Sequence, residues 1–264
     1  MQHVLQTMIL NQEKSDFNVV LEYVDHVSQA MTSREYIQNW RLQEMKEKGS
    51  YTQQSGEEEE LKSFIKGMGV DLVGIADLHS LKGMPLGIPS DAGSFLSHYH
   101  CAIVMGAQLD KLGKNSPGKE VSLFLERAAL AVVDRLERKK RRVLTVHTED
   151  EFDPVNRVGL MSLKVLAKAA GLGWQGRSLL IVSPRYGPIH RWIGVLIDME
   201  LQGGTAIPSQ CGDCSLCVEV CPADALNLVE FEDHPSCREE VLDIELCKGD
   251  DGCTECLTVC PWAI

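Results

Sequence analysis

Apolar positions recur along this chain at two spacings. In Glu57–Gly67, Leu61, Phe64 and Ile65 stand three and four residues apart, which predicts a helix with one buried face. The same spacing runs through 119–138, where Leu123, Ala128, Leu130, Val133 and Leu136 mark a long helix, and through 160–170. Between these lie short apolar runs bounded by turn residues: Asp71–Ala76, Cys101–Ala107, Val143–Val146, Leu179–Val182 and Trp192–Asp198. Each reads as a strand, and residues 83–94, with several Gly and Pro, read as a loop. Helices alternating with apolar strands predict an α/β sheet layer.

The flanks differ from this middle. Residues 1–56 are polar and helical in pattern, with apolar spots at Phe17, Val20, Leu21 and Val24, and they end in the soft stretch Gly49–Gly56. They read as a helical extension and linker, with the α/β domain spanning 57–206 and a cysteine-rich module spanning 207–264.

Composition narrows the class. A hydrophobic share of 44% and a charged share of 24% are those of a soluble globular protein. No run of about 18 apolar residues exists, so no membrane span is expected. The N-terminus, MQHVLQTMILNQEKSDF, has no basic n-region, small-residue cleavage site or twin arginine, which makes the cytoplasm the expected compartment. A net charge of −12 repels phosphate backbones and argues against a nucleic-acid partner. The one basic run, Arg138–Arg142, closes a predicted helix, where cations offset the negative end of the helix dipole.

Cysteine carries the strongest chemical signal. Of ten cysteines, nine lie between Cys211 and Cys260, and Cys101 sits alone in an apolar strand as an expected inert core thiol. Clustered cysteines in a cytosolic chain read as metal ligands rather than disulfides. Cys211-x2-Cys214-x2-Cys217-x3-Cys221-Pro222 is the bacterial ferredoxin run, in which three cysteines bind one 4Fe–4S cluster and the fourth binds another. The fourth is expected to start a helix leading toward that second cluster. Cys253-x2-Cys256-x3-Cys260-Pro261 is a second block lacking its first ligand, for which Cys237 and Cys247 are the candidates. The crossed rule assigns Cys211, Cys214, Cys217 and Cys260 to one cluster, and Cys221, Cys253, Cys256 and one upstream cysteine to the other. Zinc needs only four ligands per site, usually from separate CxxC pairs, and leaves the third evenly spaced cysteine unexplained.

Gly171-Leu172-Gly173-Trp174-Gln175-Gly176 matches a dinucleotide fingerprint by letter only. The helix precedes it and the strand follows, the reverse of the order that motif requires. Gly171 can end the helix. Three close glycines also suggest backbone that must approach a ligand.

The stretch Ala169–Ile181, with Ile193–Asp198, Cys211-Gly212-Asp213-Cys214 and Cys221-Pro222-Ala223-Asp224-Ala225-Leu226, resembles epoxyqueuosine reductases and, more distantly, corrinoid-dependent reductive dehalogenases. The resemblance covers roughly residues 58–264. It implies a nitroreductase-like cobalamin-binding α/β domain followed by a small α+β ferredoxin-like module with two 4Fe–4S clusters, the nearer of which would reduce the corrinoid to Co(I). It also implies Cys247 as the upstream ligand, because Leu242-Asp243-Ile244-Glu245-Leu246-Cys247 matches the family's setting for it. A corrinoid would then lie beside Gly171, Gly173, Trp174 and Gly176, with Arg177 and Ser178 reaching its polar arms. The chain departs from the family after Val146. Where the relatives have Asp-Ser-Ala-Pro, it has His147-Thr148-Glu149-Asp150, so their proton donor does not transfer.

Candidate catalytic residues are therefore His147 and Asp153, from the acidic cluster after that strand, and Tyr186, beside Arg185 in a later loop. Asp77-x-His79 only partly matches a cobalt-ligand motif, so His79 is expected to be a solvated loop histidine. The expected activity is a corrinoid-dependent reduction of a small substrate, fed by a low-potential donor of ferredoxin or flavodoxin type. The alternatives are an electron-transfer or activating protein for a corrinoid partner, and a corrinoid carrier without turnover.

Overall fold

The structure, a computed structural model, describes residues 56–81, 97–109, 118–148, 159, 161–249 and 252–263. The expected extension up to Ser55, the whole 83–94 loop and the acidic run Glu149–Asp153, including the candidate Asp153, lie outside the described residues.

Four strands build the main sheet: β1 (Leu72–Asp77), β2 (Cys101–Gln108), β3 (Val143–Val146) and β6 (His190–Ile197), in the order β1-β2-β6-β3. Every neighbouring pair is antiparallel, with Ile75 opposite Ile103, Ile103 opposite Val195 and Val146 opposite Gly194. Strand side chains alternate between faces, and both faces here are apolar. Ile103, Met105, Ile193, Val195 and Ile197 face helices α1 (Gly56–Gly67) and α2 (Gly118–Arg138). Ala102, Val104, Trp192 and Leu196 face helix α3 (Leu163–Ala169) and the glycine run that follows it. Burial on both sides explains why β2 and β6 read as continuous apolar runs rather than alternating ones.

The ends of α3 have local causes. Ser162 Oγ accepts from Val165 N at 3.4 Å and caps its start. Gly171, at φ +68°, turns the chain out of it, with its N–H on Lys168 O and Leu172 N on Ala167 O. The expected strand Leu179–Val182 shortens to β5 (Ile181–Val182), which pairs with β4 (Trp174–Gln175) in a separate two-stranded hairpin. Leu179 is left-handed, φ +59°, and its N–H closes a turn onto Gly176 O, so the chain cannot be extended there.

The basic run behaves as a helix end. Lys139 pairs with Glu57 at 3.0 Å, Arg138 with Asp134 at 2.9 Å and Arg142 with Asp198 at 3.2 Å. Cys101 is buried, its sulfur lying between Leu201 O and Leu201 N at 3.4 and 3.3 Å, and burial pushes its pKa up. No described helix is long and apolar enough to cross a membrane.

Candidate metal centre

The cysteine module is built from two copies of one local plan. Cys211 and Cys214 lie in a turn, and α4 (Leu216–Glu219), carrying Cys217, follows. Cys253 likewise precedes α6 (Glu255–Thr258), which carries Cys256, and the two short helices pack on each other. Both helices stop before a Cys-Pro pair, Cys221-Pro222 and Cys260-Pro261. Cys221 therefore follows a helix rather than starting one, contrary to the sequence expectation. The residue before a proline is biased away from helical backbone, which places each fourth cysteine outside its helix.

The thiols fall into two neighbourhoods. Cys260 is pushed up to about 12, first by burial and then by the charges of Cys211, Cys214 and Cys217. Cys256 rises to about 11 through burial and its neighbours Cys247, Cys253 and Cys221. Cys217 rises to about 12 through burial, with Cys211, Cys214 and also Cys256 acting on it, so the two neighbourhoods adjoin. Such thiols stay protonated unless an adjacent cation offsets the cost of a buried thiolate. The chemistry of each four-thiol set fits an iron–sulfur cluster. Among the described residues no three His, Cys, Asp or Glu groups converge closely enough to hold a single metal ion. One zinc would need its sulfurs at about 2.3 Å, whereas a four-iron cube spaces its ligands wider.

Cys247 and Cys237 differ in setting. Asp243 Oδ1 accepts from Glu245 N and Leu246 N at 3.0 and 3.2 Å, shaping a turn in which Cys247 N bonds Asp243 O at 3.2 Å. That turn is anchored by Leu226 bridging Leu242 and by Asp243 N on Ala225 O at 2.9 Å. Cys237 is exposed, just before α5 (Arg238–Val241).

The glycine run lies against the first neighbourhood. A Cβ on Gly176 would stand 3.7 Å from Cys211 Sγ and 2.8 Å from Val182 Cγ2. A Cβ on Gly173 would meet Val182 O at 2.4 Å, and one on Gly171 would meet Thr205 O at 2.5 Å. Trp174 is 1% exposed, and one Arg177 terminal nitrogen donates to Gly212 O at 2.7 Å. The close approaches that the three glycines permit are thus made by the chain itself. The Cβ sides of Gly171, Gly173 and Gly176 are taken by Thr205, strand β5 and Cys211, so these glycines need no macrocycle to explain them.

His147 and Tyr186 are not brought together by any contact in the structure. Tyr186 is half-buried in the turn closed by Ser183 and Gly187, beneath the Arg185 guanidinium at 5.0 Å. His147 follows β3, and its Nδ1 lies 2.8 Å from Glu126 Oε2 on α2, while Thr148 N donates to Glu126 Oε1 at 3.3 Å. Glu126 also lines a cleft of about 270 Å³ with Lys119, Ser122 and Leu123, where Arg191 donates to Ser122 Oγ at 2.9 Å. Sequence reading missed Glu126. It stands 21 residues from His147, in a different element, and only the packing of α2 beside the end of β3 joins them. His79, exposed, faces His100 at 3.1 Å.

His190 was also missed. It is 8% exposed, its ring stacks edge-on against Trp192 at 4.4 Å, and burial lowers its pKa to about 4. Its ring nitrogens have no hydrogen bond of good geometry, although the Gly187 backbone lies close.

The sequence profile of the 4Fe-4S dicluster domain matches residues 210–264. An epoxyqueuosine reductase from Leadbetterella byssophila is 27% identical over 184 residues, covering 64% of this chain and 57% of that protein. One from Pseudomonas aeruginosa is 30% identical over 145 residues, covering 48% and 40%. The chain thus spans 57% and 40% of the length of these two relatives. Among solved structures, an epoxyqueuosine reductase aligns with TM-score 0.57 at 18% identity, covering 78% of this chain and 65% of that one. A reductive dehalogenase described in terms of B12-dependent dehalogenation aligns at 0.59 and 18%, covering 82% and 33%. The α/β layer followed by a dicluster module is therefore the fold of these proteins. Another epoxyqueuosine reductase, aligning at 0.55 and 19% over 78% of this chain and 64% of its own, was solved with an epoxyqueuosine-modified tRNA stem loop. This fold is thus compatible with a tRNA partner in that protein, and net charge alone does not exclude one here. A sum of −12 says nothing of local surface.

Proposed function

We propose that this chain is an iron–sulfur reductase. Cys211, Cys214, Cys217 and Cys260 would hold one 4Fe–4S cluster, and Cys221, Cys247, Cys253 and Cys256 the other. The observation that carries the reading is the partition of the thiols into two adjoining sets of four, each drawn from both cysteine blocks. Bound there, the clusters would supply one-electron carriers, and the electrostatic influence of Cys256 on Cys217 marks the side on which the sets adjoin. The chain's own residues half-bury both sets and keep the first against the α/β layer through Gly176 and Arg177.

The substrate proton would come from His147. Glu126 accepts from Nδ1–H, so in the doubly protonated ring Nε2–H is the proton left to donate. The donor of electrons would be a low-potential protein of ferredoxin or flavodoxin type. Cobalamin is the acceptor that the family resemblance implies and that the dehalogenase neighbour's description names. The Cβ side of Gly171, Gly173 and Gly176 is closed by the chain itself, so no step is routed through cobalamin. That same closure favours a second reading, in which the chain delivers electrons to a corrinoid protein and binds no corrinoid itself.

Protein purified without oxygen tests both readings. About eight irons and eight acid-labile sulfides per chain are expected, and zinc in their place overturns the proposal. Cobalamin is then added to the dithionite-reduced protein, with an epoxyqueuosine stem loop and a bromo-hydroxybenzoate as probes. Product from either identifies a reductase. Clusters that reduce cobalamin without retaining it or forming product identify the electron-transfer reading.

A further inference from the structure

Arg177 is an ionised side chain whose environment the α/β layer alone does not explain. It follows Gly176, whose Cα faces Cys211 Sγ, and one terminal nitrogen reaches Gly212 O at 2.7 Å. Gly212 holds φ +53°, a left-handed turn that a glycine adopts without strain, between Cys211 and the rest of its block. Arg177 Nε is buried and has no hydrogen-bond partner. An orphaned donor on a guanidinium is costly where water cannot reach it. Thiolates and cluster sulfide are acceptors that would satisfy it, and the adjoining turn with helix α4 carries three of the first set's four cysteines.

We infer that Arg177 is the electrostatic tuning residue of the first cluster, using its charge and unpaired N–H to stabilise that cluster's reduced form and its Gly212 contact to hold the loop. The inference rests on the dicluster reading. One electron passes from an external reductant to the cluster, whose net charge becomes one unit more negative. A fixed cation beside it favours that state, so removing the cation makes reduction harder. Arg177 reaches the loop of the first set, so the second set, around Cys221, Cys247, Cys253 and Cys256, should respond little to its removal.

The test is an EPR-monitored redox titration of the full chain with both clusters, using dithionite, in wild type, Arg177→Gln and Arg177→Lys. Wild type must first show eight irons and two potentials; without them the dicluster reading itself fails. In Arg177→Gln one potential is expected to fall by about tenfold in the reduction equilibrium, about 59 mV for one electron, and the other to stay. Arg177→Lys, which keeps the charge, is expected to stay within about threefold of wild type. If Arg177→Gln loses four irons, retention of both clusters with near-native potentials in Arg177→Lys supports the charge role. Unchanged potentials in Arg177→Gln, or loss of the first cluster in both variants, overturns the inference and leaves Arg177 an anchor for Gly212.

Discussion

Trp174 and Trp262 meet edge to face, their ring centroids 4.7 Å apart and their planes at 79°. One belongs to the β4 hairpin of the glycine run and the other lies two residues beyond Cys260. Both are buried. Gly187 seats the same tryptophan from below, since any Cβ there would stand 2.5 Å from the Trp262 carbonyl. The cysteine module is thus packed onto the α/β layer by aromatic contact as well as by the Arg177 bond. Trp262→Ala should cost about 3–5 kcal/mol. Thermal melts should fall well below wild type, and iron bound through Cys260 should be lost first, read as a drop toward four irons per chain.

The two upstream cysteines give a second test. Cys247 neighbours Cys256 in the second set, whereas Cys237 is exposed. Cys247→Ser should remove or convert one cluster, visible in iron content and EPR. Cys237→Ser should keep about eight irons and both signals. The reverse pattern would reassign the ligand.

His190 sets an acid limit on stability. Its folded pKa of about 4 lies below the usual histidine value of 6.5, so the unfolded chain binds a proton that the folded chain refuses. Stability is therefore undiminished above about pH 6.5 and falls as pH drops from there toward 4. Between pH 7 and pH 5 the loss from this residue is about 2 kcal/mol. Denaturant unfolding of wild type and His190→Phe at both pH values should show a smaller loss in the variant. Equal losses would remove His190 as the cause.

Proton delivery gives a fourth test. If His147 is the donor, His147→Gln should lower kcat on a responsive probe by about 10²–10⁴-fold with cluster content unchanged. Glu126→Gln should lower kcat about tenfold with KM little changed, because it removes orientation rather than binding. It should also shift the His147 tautomer toward a proton on Nε2, read by ¹⁵N NMR. An unaltered tautomer would show that Glu126 does not position the ring.

The chain's spacing determined much of this. Cys211, Cys214, Cys217 and Cys221 announce their chemistry because consecutive ligands on one tight loop are a local arrangement, written at fixed separations. The strands Cys101–Gln108 and His190–Ile197 and the helix Gly118–Arg138 were legible because burial imposes a period on each element's own residues. Tertiary structure decided what is not local. Strand order β1-β2-β6-β3 pairs Cys101 with Ile197, nearly a hundred positions away, and no periodicity encodes that choice. Gly171, Gly173 and Gly176 announced that something comes close, and only packing revealed Thr205, Val182 and Cys211 rather than a macrocycle. Glu126 beside His147 and Arg177 on Gly212 arise in the same way, where separate elements meet. Sequence records which side chains can do chemistry, but their juxtaposition is fixed by the burial of both sheet faces.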